Sequence, residues 1–218
     1  MKLFLSSQDL GDFAEDLREL VGENRKTLLI TNARDYKESN ARRERVAEKL
    51  QILQQAGFKA QELDLRNYFT KDPAELSEFV SSYNPGLIYS IGGNVFLLAT
   101  ALAISGMDDI IRQRLEEDIT VYAGHSAGAM VASEDIEVYE RDDLKVEEVG
   151  VYYGVESITS GLGLTDGYII PHANRPERSQ ITKFHQDQIA KIDAKPIILN
   201  DGDVCIIDGK HQAIKRAK

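Results

Sequence analysis

The 218-residue sequence has one cysteine, no long apolar run and no sign of a signal-peptide core at its start. Each of these features argues against a class of protein. Cys205 has no second cysteine to pair with, and its apolar surroundings favour a buried strand position over a redox role. No apolar run approaches the length of a membrane span, and residues 1–7 are too short for a signal-peptide core. We therefore expect a cytoplasmic protein without a membrane partner.

Positive charge is also scarce, since 26 Lys and Arg residues stand against 36 Asp and Glu residues. The resulting net charge of −10 and pI near 5.0 argue against nucleic acid and anionic lipid as partners, because both require a basic surface. The sequence also has no His-Glu-x-x-His motif, no cysteine pair and no Walker-type phosphate loop. We expect no metal and no cofactor, and a small substrate is the favoured partner.

Short apolar runs alternate with amphipathic segments along the whole chain. The runs that predict strands lie at residues 2–5, 27–31, 58–65, 87–91, 119–123, 168–170, 196–199 and 203–207. Ser7 is expected to cap the first helix, and Asp208-Gly209 predicts a C-terminal antiparallel hairpin. This alternation is typical of an α/β fold in which helices sandwich a mostly parallel sheet. We expect residues 1–218 to form a single domain.

A Gly-x-Ser-x-Gly pentapeptide, Gly124 to Gly128, lies where a predicted strand passes directly into a short helix. Such a turn holds its middle residue in a strained conformation, and the flanking glycines let neighbouring backbone approach. Ser126 is therefore a candidate nucleophile in a nucleophile elbow. The Ala127 N–H, at the start of the helix, is a candidate oxyanion donor. The alternative is a glycine-rich turn that only packs.

A serine hydroxyl needs a base within hydrogen-bond reach, and the sequence has four histidines. The side chain of His125 should diverge from that of its neighbour Ser126, and His185 and His211 fall in segments expected to be solvated. His172 directly follows a predicted buried strand, at the kind of strand end where the elbow also lies. By elimination, His172 is the candidate base.

The acid that orients this base should lie at the same edge of the sheet. Asp201 follows the predicted strand at residues 196–199 and is the favoured candidate, while Asp203, Glu134 and Asp135 remain open.

The acidic stretch at residues 134–156 shows little apolar periodicity. It could form a flap beside the site or a solvated hairpin that turns at residues 141–143, and its composition favours the hairpin.

Four motifs occur in a characteristic order along nearly the whole chain. They are Ser90-Ile91-Gly92-Gly93-Asn94, then Gly124-His125-Ser126-Ala127-Gly128-Ala129, then Gly161-Leu162-Gly163-Leu164 with Ile170-Pro171-His172, and finally Leu199-Asn200-Asp201-Gly202-Asp203. Together they resemble the peptidase E family, the aspartyl dipeptidases related to cyanophycinase. The resemblance implies a class I glutamine-amidotransferase-like α/β fold and a serine peptidase with a Ser-His-Asp catalytic triad.

In the terms of this resemblance, Ser126 is the nucleophile, His172 the base and Asp201 the acid. Gly93 and Ala127 are implied as the oxyanion-hole donors.

The family cleaves dipeptides with N-terminal aspartate, and a cation is needed to bind that side chain. Arg175 and Arg178, just past His172, are candidates for it, and Asn94 is a further substrate-binding candidate. The segment between nucleophile and base is longer than in the compact dipeptidases, and Asn200 stands where many relatives have an acid. The substrate therefore stays open between a short peptide, an ester or an isoaspartyl peptide, and a catalytically silent ligand-binding relative is a further alternative. We expect a monomer or small homo-oligomer.

Overall fold

The computed structural model describes residues 1–141 and 148–217, and a seven-stranded sheet forms its centre. In order across the sheet, the strands are β3 (Lys59–Leu63), β2 (Lys26–Ile30), β4 (Leu87–Ser90), β5 (Val121–His125), β1 (Lys2–Ser6), β8 (Val204–Asp208) and β9 (His211–Lys215). The first five run parallel, whereas β8 is antiparallel to β1 and β9 is antiparallel to β8. The predicted α/β class and C-terminal hairpin are confirmed.

Helices cover both faces of this sheet. They are α1 (Ala14–Val21), α2 (Ser39–Gln55), α3 (Pro73–Tyr83), α4 (Val95–Ser105), α5 (Met107–Glu116), α6 (Ala127–Met130), α7 (Glu148–Tyr153) and α8 (Ser179–Lys191). Successive residues of a strand point to opposite faces, so Leu3 and Leu5 pack with α3, α4 and α5, while Phe4 packs with α1 and α2. In the part of the chain that the structure describes, no helix is long and apolar enough to cross a membrane.

The first helix corrects one expectation from the sequence. α1 begins at Ala14 with Phe13 in the capping position, and its cap has no side-chain hydrogen bond. Ser7 is therefore not a helix cap. It lies seven residues before the helix, directly after β1, and its side chain contacts the candidate site instead.

A second, two-stranded parallel sheet lies beside the first and is formed by β6 (Gly167–Ile170) and β7 (Lys195–Ile198). α8 connects the two strands, so this part of the chain is a strand-helix-strand unit. Ile170 pairs with Ile198, and the Leu199 N–H donates to the Ile170 carbonyl at 2.9 Å. The residues that follow β6 and β7 therefore emerge side by side.

The expectation that His185 is solvated is wrong. His185 lies on α8 with only 3% of its surface exposed, because this face of the helix packs edge-on against the ring of Tyr139. His211, in β9, is exposed as expected.

Residues 134–156 do not form a hairpin in their described part. A single 3-10 turn, Glu137–Tyr139, places Tyr139 fully in the core, and α7 follows further along. The Tyr153 hydroxyl of α7 donates to Asp35 at 2.8 Å. Asp142 and Asp143 of the expected turn lie outside the described residues.

Candidate active site

Ser126 occupies a strained turn between β5 and α6. Its φ of 50° and ψ of −115° lie in a region that side chains other than glycine rarely adopt. The turn requires close packing of backbone, because a Cβ on Gly128 would lie 2.1 Å from the carbonyl oxygen of Ser90 at the end of β4. This is the geometry of a nucleophile elbow, in which the serine side chain projects from the edge of the sheet.

A chain of hydrogen bonds joins Ser126 to a histidine and a carboxylate. The Ser126 Oγ lies 3.2 Å from His172 Nε2, and His172 Nδ1 lies 2.6 Å from Asp201 Oδ1. Because Nδ1–H donates to the carboxylate, Nε2 keeps the lone pair that can accept the serine proton. The arrangement can therefore deprotonate the serine hydroxyl as it attacks an acyl group.

The topology explains why residues far apart in sequence meet here. Ser126 follows β5, His172 lies two residues after β6, and Asp201 lies three residues after β7. Because β6 and β7 are parallel and adjacent, the residues at their carboxyl ends reach the same edge. Asp201 thus lies where the sequence placed it.

Several donors fix the Asp201 carboxylate in addition to His172. The Ser7 hydroxyl donates to Oδ1 at 2.9 Å, and Arg175 Nε donates to Oδ2 at 2.5 Å. Burial alone would raise the pKa of Asp201, but the hydrogen bonds from His172, Arg175 and Ser7 outweigh it and lower the pKa. The carboxylate therefore stays ionised and oriented toward the imidazole.

Two of the three competing acids, Asp203 and Asp135, bind other groups. Asp203 is buried and accepts hydrogen bonds from Arg216 Nη1 at 2.6 Å and from the Asn200 and Ala217 N–H groups at 2.9 Å each. Asp135 accepts the N–H of Glu137 at 2.8 Å. Glu134 directly precedes Asp135 in this segment, and its main chain accepts a hydrogen bond from Gly161.

Ser7 is a site residue that the sequence reasoning missed. Its fully buried hydroxyl accepts the His172 N–H at 2.7 Å while it donates to Asp201. His172 has a left-handed backbone with φ of 62°, so this bond fixes the residue in an unfavourable conformation. The position of Ser7 directly after a parallel strand was the available signal, because such strand ends form the site in this fold class.

Burial lowers the pKa of His172 below its ordinary value. The hydrogen bond and charge of Asp201 oppose this shift, while the charges of Arg175 and Arg178 add to it. The imidazole is therefore neutral at neutral pH, which is the state that a general base requires.

His125 diverges from Ser126, as expected. Its Nε2 accepts the Gly92 N–H at 3.1 Å, and its Nδ1 lies 3.0 Å from the Tyr89 hydroxyl. Complete burial lowers the pKa of His125 to about 3. A neutral imidazole thus supports the Gly92-Gly93 turn from behind.

The two candidate oxyanion donors are the Gly93 N–H, in the turn after β4, and the Ala127 N–H, at the start of α6. Neither the Gly93 nor the Ala127 N–H donates to another residue in the described part of the chain. A Cβ on Gly93 would lie 2.1 Å from the Ala33 carbonyl oxygen, so only glycine fits where the turn passes this backbone. Both N–H groups remain available to a substrate oxygen.

The three residues expected to bind substrate have different surroundings. Asn94 is 3% exposed, and its Oδ1 caps α4 by accepting the Phe96 and Leu97 N–H groups. Arg175 holds Asp201 and also donates to Gln8 at 2.8 Å. Arg178 lines a cavity beside Ser126. Arg175 therefore holds the acid and borders the larger cavity beside Ser126, whereas Arg178 borders the smaller one.

In the part of the chain that the structure describes, Ser126 borders a larger and a smaller cavity. The larger, about 210 Å³, is bordered by His172 and by many charged side chains. The smaller, about 50 Å³, is bordered by Gly93, Pro171 and Arg178. Within residues 1–141 and 148–217, no three His, Cys, Asp or Glu side chains are grouped so that they could hold a metal ion.

An elbow serine bonded to a histidine and a carboxylate, at the carboxyl edge of a parallel sheet, is typical of enzymes that transfer acyl groups to water. The comparison with protein families is more specific. Residues 3–215 match the model of peptidase family S51, and the chain belongs to this family. It is therefore a peptidase, and the resemblance to peptidase E is confirmed.

Similar proteins agree with this assignment. An uncharacterized peptidase of Listeria monocytogenes is 27% identical over 165 residues, which is 75% of this chain and 74% of that protein. A crystal structure of a candidate peptidase E from the same species has a TM-score of 0.77 at 23% identity, with 100% of this chain and 98% of that one covered. A peptidase from an acI-B1 actinobacterium has a TM-score of 0.69 at 21% identity, with 99% and 87% covered. The two structures share the fold.

Proposed function

We propose that this member of family S51 is a serine peptidase that hydrolyses short peptides through an acyl-enzyme. The observation that supports the proposal is the continuous hydrogen-bonded chain from Ser126 Oγ through His172 to Asp201. The strained elbow and the lowered pKa of His172 suit the same chemistry, because they expose the nucleophile and keep its base neutral.

In the proposed reaction, Ser126 Oγ attacks the scissile carbonyl carbon and His172 Nε2 takes the hydroxyl proton. The Gly93 and Ala127 N–H groups donate to the oxyanion of the tetrahedral intermediate, and Asp201 stabilises the imidazolium. The C–N bond then breaks as His172 returns the proton to the leaving amine. Water, deprotonated by the same histidine, hydrolyses the acyl-enzyme and restores Ser126.

The resemblance to peptidase E favours dipeptides with N-terminal aspartate as substrates. Arg178, which borders the smaller cavity beside Gly93, is the proposed partner of the aspartate side chain. Small cavities on both sides of Ser126 suit a short peptide better than a folded protein. We further propose that the enzyme works in the cytoplasm as a monomer or small homo-oligomer.

Amine release from a dipeptide panel tests the proposal. The panel should pair N-terminal Asp, Asn, Ala and β-linked aspartyl residues with one common second residue, beside a p-nitrophenyl ester. We expect peptide hydrolysis by the wild type and none by Ser126→Ala. Hydrolysis of the ester alone would make the protein an esterase, and inactivity on the whole panel would favour a ligand-binding relative.

The identity of the acid can be tested by two isosteric substitutions. Asp201→Asn should lower kcat by roughly 10³ to 10⁴-fold, because the amide NH2 can donate to Nδ1 and thereby selects the tautomer of His172 with its proton on Nε2. Asp135→Asn, at one of the open alternatives, should leave kcat within about twofold because its carboxylate caps a local turn. If Asp135→Asn lost far more activity than Asp201→Asn, the role of the acid would move to residues 134–135.

A further inference from the structure

The larger cavity beside Ser126 is lined mainly by charged side chains. The four basic side chains are Arg34, Arg45, Lys49 and Arg175, and the two acidic ones are Asp9 and Glu48. This concentration of cations is unusual in a chain with a net charge of −10. It raises the question of which positive charges already have a partner.

Lys49 and Arg45, both on α2, have carboxylate partners in the cavity wall. Lys49 is almost completely buried and forms an ion pair with Asp9. Arg45 Nη1 lies 2.6 Å from a carboxylate oxygen of Glu48.

Arg175 also has a carboxylate partner, since its Nε donates to Asp201. Three of the four cations are thus neutralised by the protein itself.

Arg34 differs from these three. Its Nε donates to the Gly92 carbonyl oxygen at 2.7 Å, and it forms no ion pair with a carboxylate in the described part of the chain. His125, which borders the same cavity, is neutral and adds no charge. Arg34 is therefore held by one of its five N–H donors beside the turn that carries Gly93, with a positive charge that the cavity does not balance.

The position of His172 shows which half of a substrate this cavity would hold. In acyl transfer the base that deprotonates the serine must return its proton to the leaving amine, so the leaving group occupies the space beside it. His172 borders the cavity of Arg34, whereas the smaller cavity is bordered by Gly93 and Pro171. Arg34 therefore lies on the leaving-group side.

We propose that Arg34 binds the free C-terminal carboxylate of the residue that leaves. The inference rests on the proposed peptidase function and adds the residue that would recognise the C-terminal end of a dipeptide. The two Nη groups of a guanidinium match a carboxylate in a bidentate pair, while the Nε bond to Gly92 fixes the plane of the fork. A longer or amidated peptide cannot form this pair.

Two matched substrates test the proposal: dipeptides with the same residues, one with a free C-terminal carboxylate and one with a C-terminal amide. The readout is the ratio of their kcat/KM values. For the wild type, we expect the free acid to be preferred about tenfold or more, the effect of one charge-assisted hydrogen-bonded pair. In Arg34→Gln the ratio should fall to about 1, even if loss of the Gly92 contact slows both substrates.

Arg45→Gln is the matched control, since Arg45 lines the same cavity but is paired with Glu48. Its ratio should stay within about threefold of the wild-type value. Arg34→Lys, which keeps the charge without the fork, should lower the ratio only in part and replaces Arg34→Gln if that variant does not fold.

A wild-type ratio near 1, or a ratio unchanged in Arg34→Gln, would overturn the inference while peptide hydrolysis still supports the proposed function. Failure of the proposed function looks different, since the wild type would then hydrolyse neither dipeptide.

Discussion

Two side chains outside the Ser-His-Asp chain determine where its acid lies. Ser7 links the backbone of His172 to the Asp201 carboxylate, and Arg175 holds the second oxygen of that carboxylate. Because the two donors reach different oxygens, Asp201 is prevented from rotating away from the imidazole. Arg175 was expected to be a candidate for substrate binding, and in the structure it also holds the acid.

Ser7→Ala should lower kcat by about tenfold. The substitution leaves the buried His172 N–H without its acceptor and removes one donor from Asp201, each of which costs on the order of 1 kcal/mol. Ser133→Ala is the control, because Ser133 is equally buried but bonds to the Gly167 carbonyl. Steady-state kinetics and thermal unfolding of both variants should show similar losses of stability and a kcat defect in Ser7→Ala alone. Equal kcat values for Ser7→Ala and Ser133→Ala would show that the role of Ser7 is only structural.

The acidic limb of kcat/KM should lie below pH 6.5. His172 must be neutral to accept the serine proton, and burial lowers its pKa from the ordinary value of 6.5. Activity is therefore complete above that value and is lost as the pH falls through the lowered pKa. A pH-rate profile with a substrate that does not titrate between pH 4 and 7 measures the limb. An apparent pKa above 6.5 would show that the charge of Asp201 outweighs burial.

At the scale of elements, the elbow depends on backbone contact between β4, β5 and α6. Gly128 of α6 approaches the last carbonyl of β4, and Gly124 of β5 approaches the carbonyl of Gly128. This packing was visible in the sequence, because the Gly-x-Ser-x-Gly pattern between a strand and a helix has one well-known geometry.

Other elements were less accessible from the sequence. Helix α5 follows α4 after a single glycine and was not predicted. The pairing of β6 with β7 in a sheet of their own also has no local signal, since an apolar run does not specify which strand it joins. Asp201 could nevertheless be placed correctly, because its position required only that two parallel strands end at the same edge.

Gly128→Ala should destabilise the protein by roughly 3 kcal/mol or more and abolish activity. The added methyl group would lie 2.1 Å from the Ser90 carbonyl oxygen, and a backbone atom cannot move aside as a flexible side chain can. Gly150→Ala in α7 is the control: the nearest atom to its added Cβ is the Val155 carbonyl oxygen at 3.7 Å, and alanine is a better helix former than glycine. Chemical denaturation should give a lower free energy of unfolding than the wild type for Gly128→Ala and a higher one for Gly150→Ala. Near-native stability of Gly128→Ala would contradict the close approach.

At the scale of the whole molecule, basic side chains concentrate beside the candidate active site although the chain as a whole is acidic. The chain is acidic overall, yet Arg34, Arg45 and Lys49 line the cavity that Ser126 opens into. The composition of the whole chain could not reveal this local cluster. Arg34 and Arg175 are far apart in the chain but line the same cavity, Arg34 after β2 of the large sheet and Arg175 after β6 of the small sheet.

Acid should destabilise the fold before the carboxylates titrate. His125 has a pKa near 3 when folded and an ordinary value of 6.5, so the unfolded chain binds the extra proton between these values. Its contribution is complete above pH 6.5 and is lost as the pH falls toward 3. The lowered pKa values of Asp201 and Asp203 act only below 3.8. The free energy of unfolding should decrease from pH 7.5 through pH 5.5 to pH 4.5. The decrease should be smaller in His125→Gln than in the wild type. A flat profile over this range would contradict the neutral, buried imidazole.

The central claim is that Ser126 is the activated nucleophile, and covalent labelling with a fluorophosphonate tests it most directly. Mass spectrometry of the digested protein should locate a single adduct on Ser126 in the wild type and no adduct in Ser126→Ala. Labelling should be slower by roughly 10³-fold in His172→Ala, because the hydroxyl loses its base. An adduct on another residue, or labelling that survives Ser126→Ala, would contradict the account.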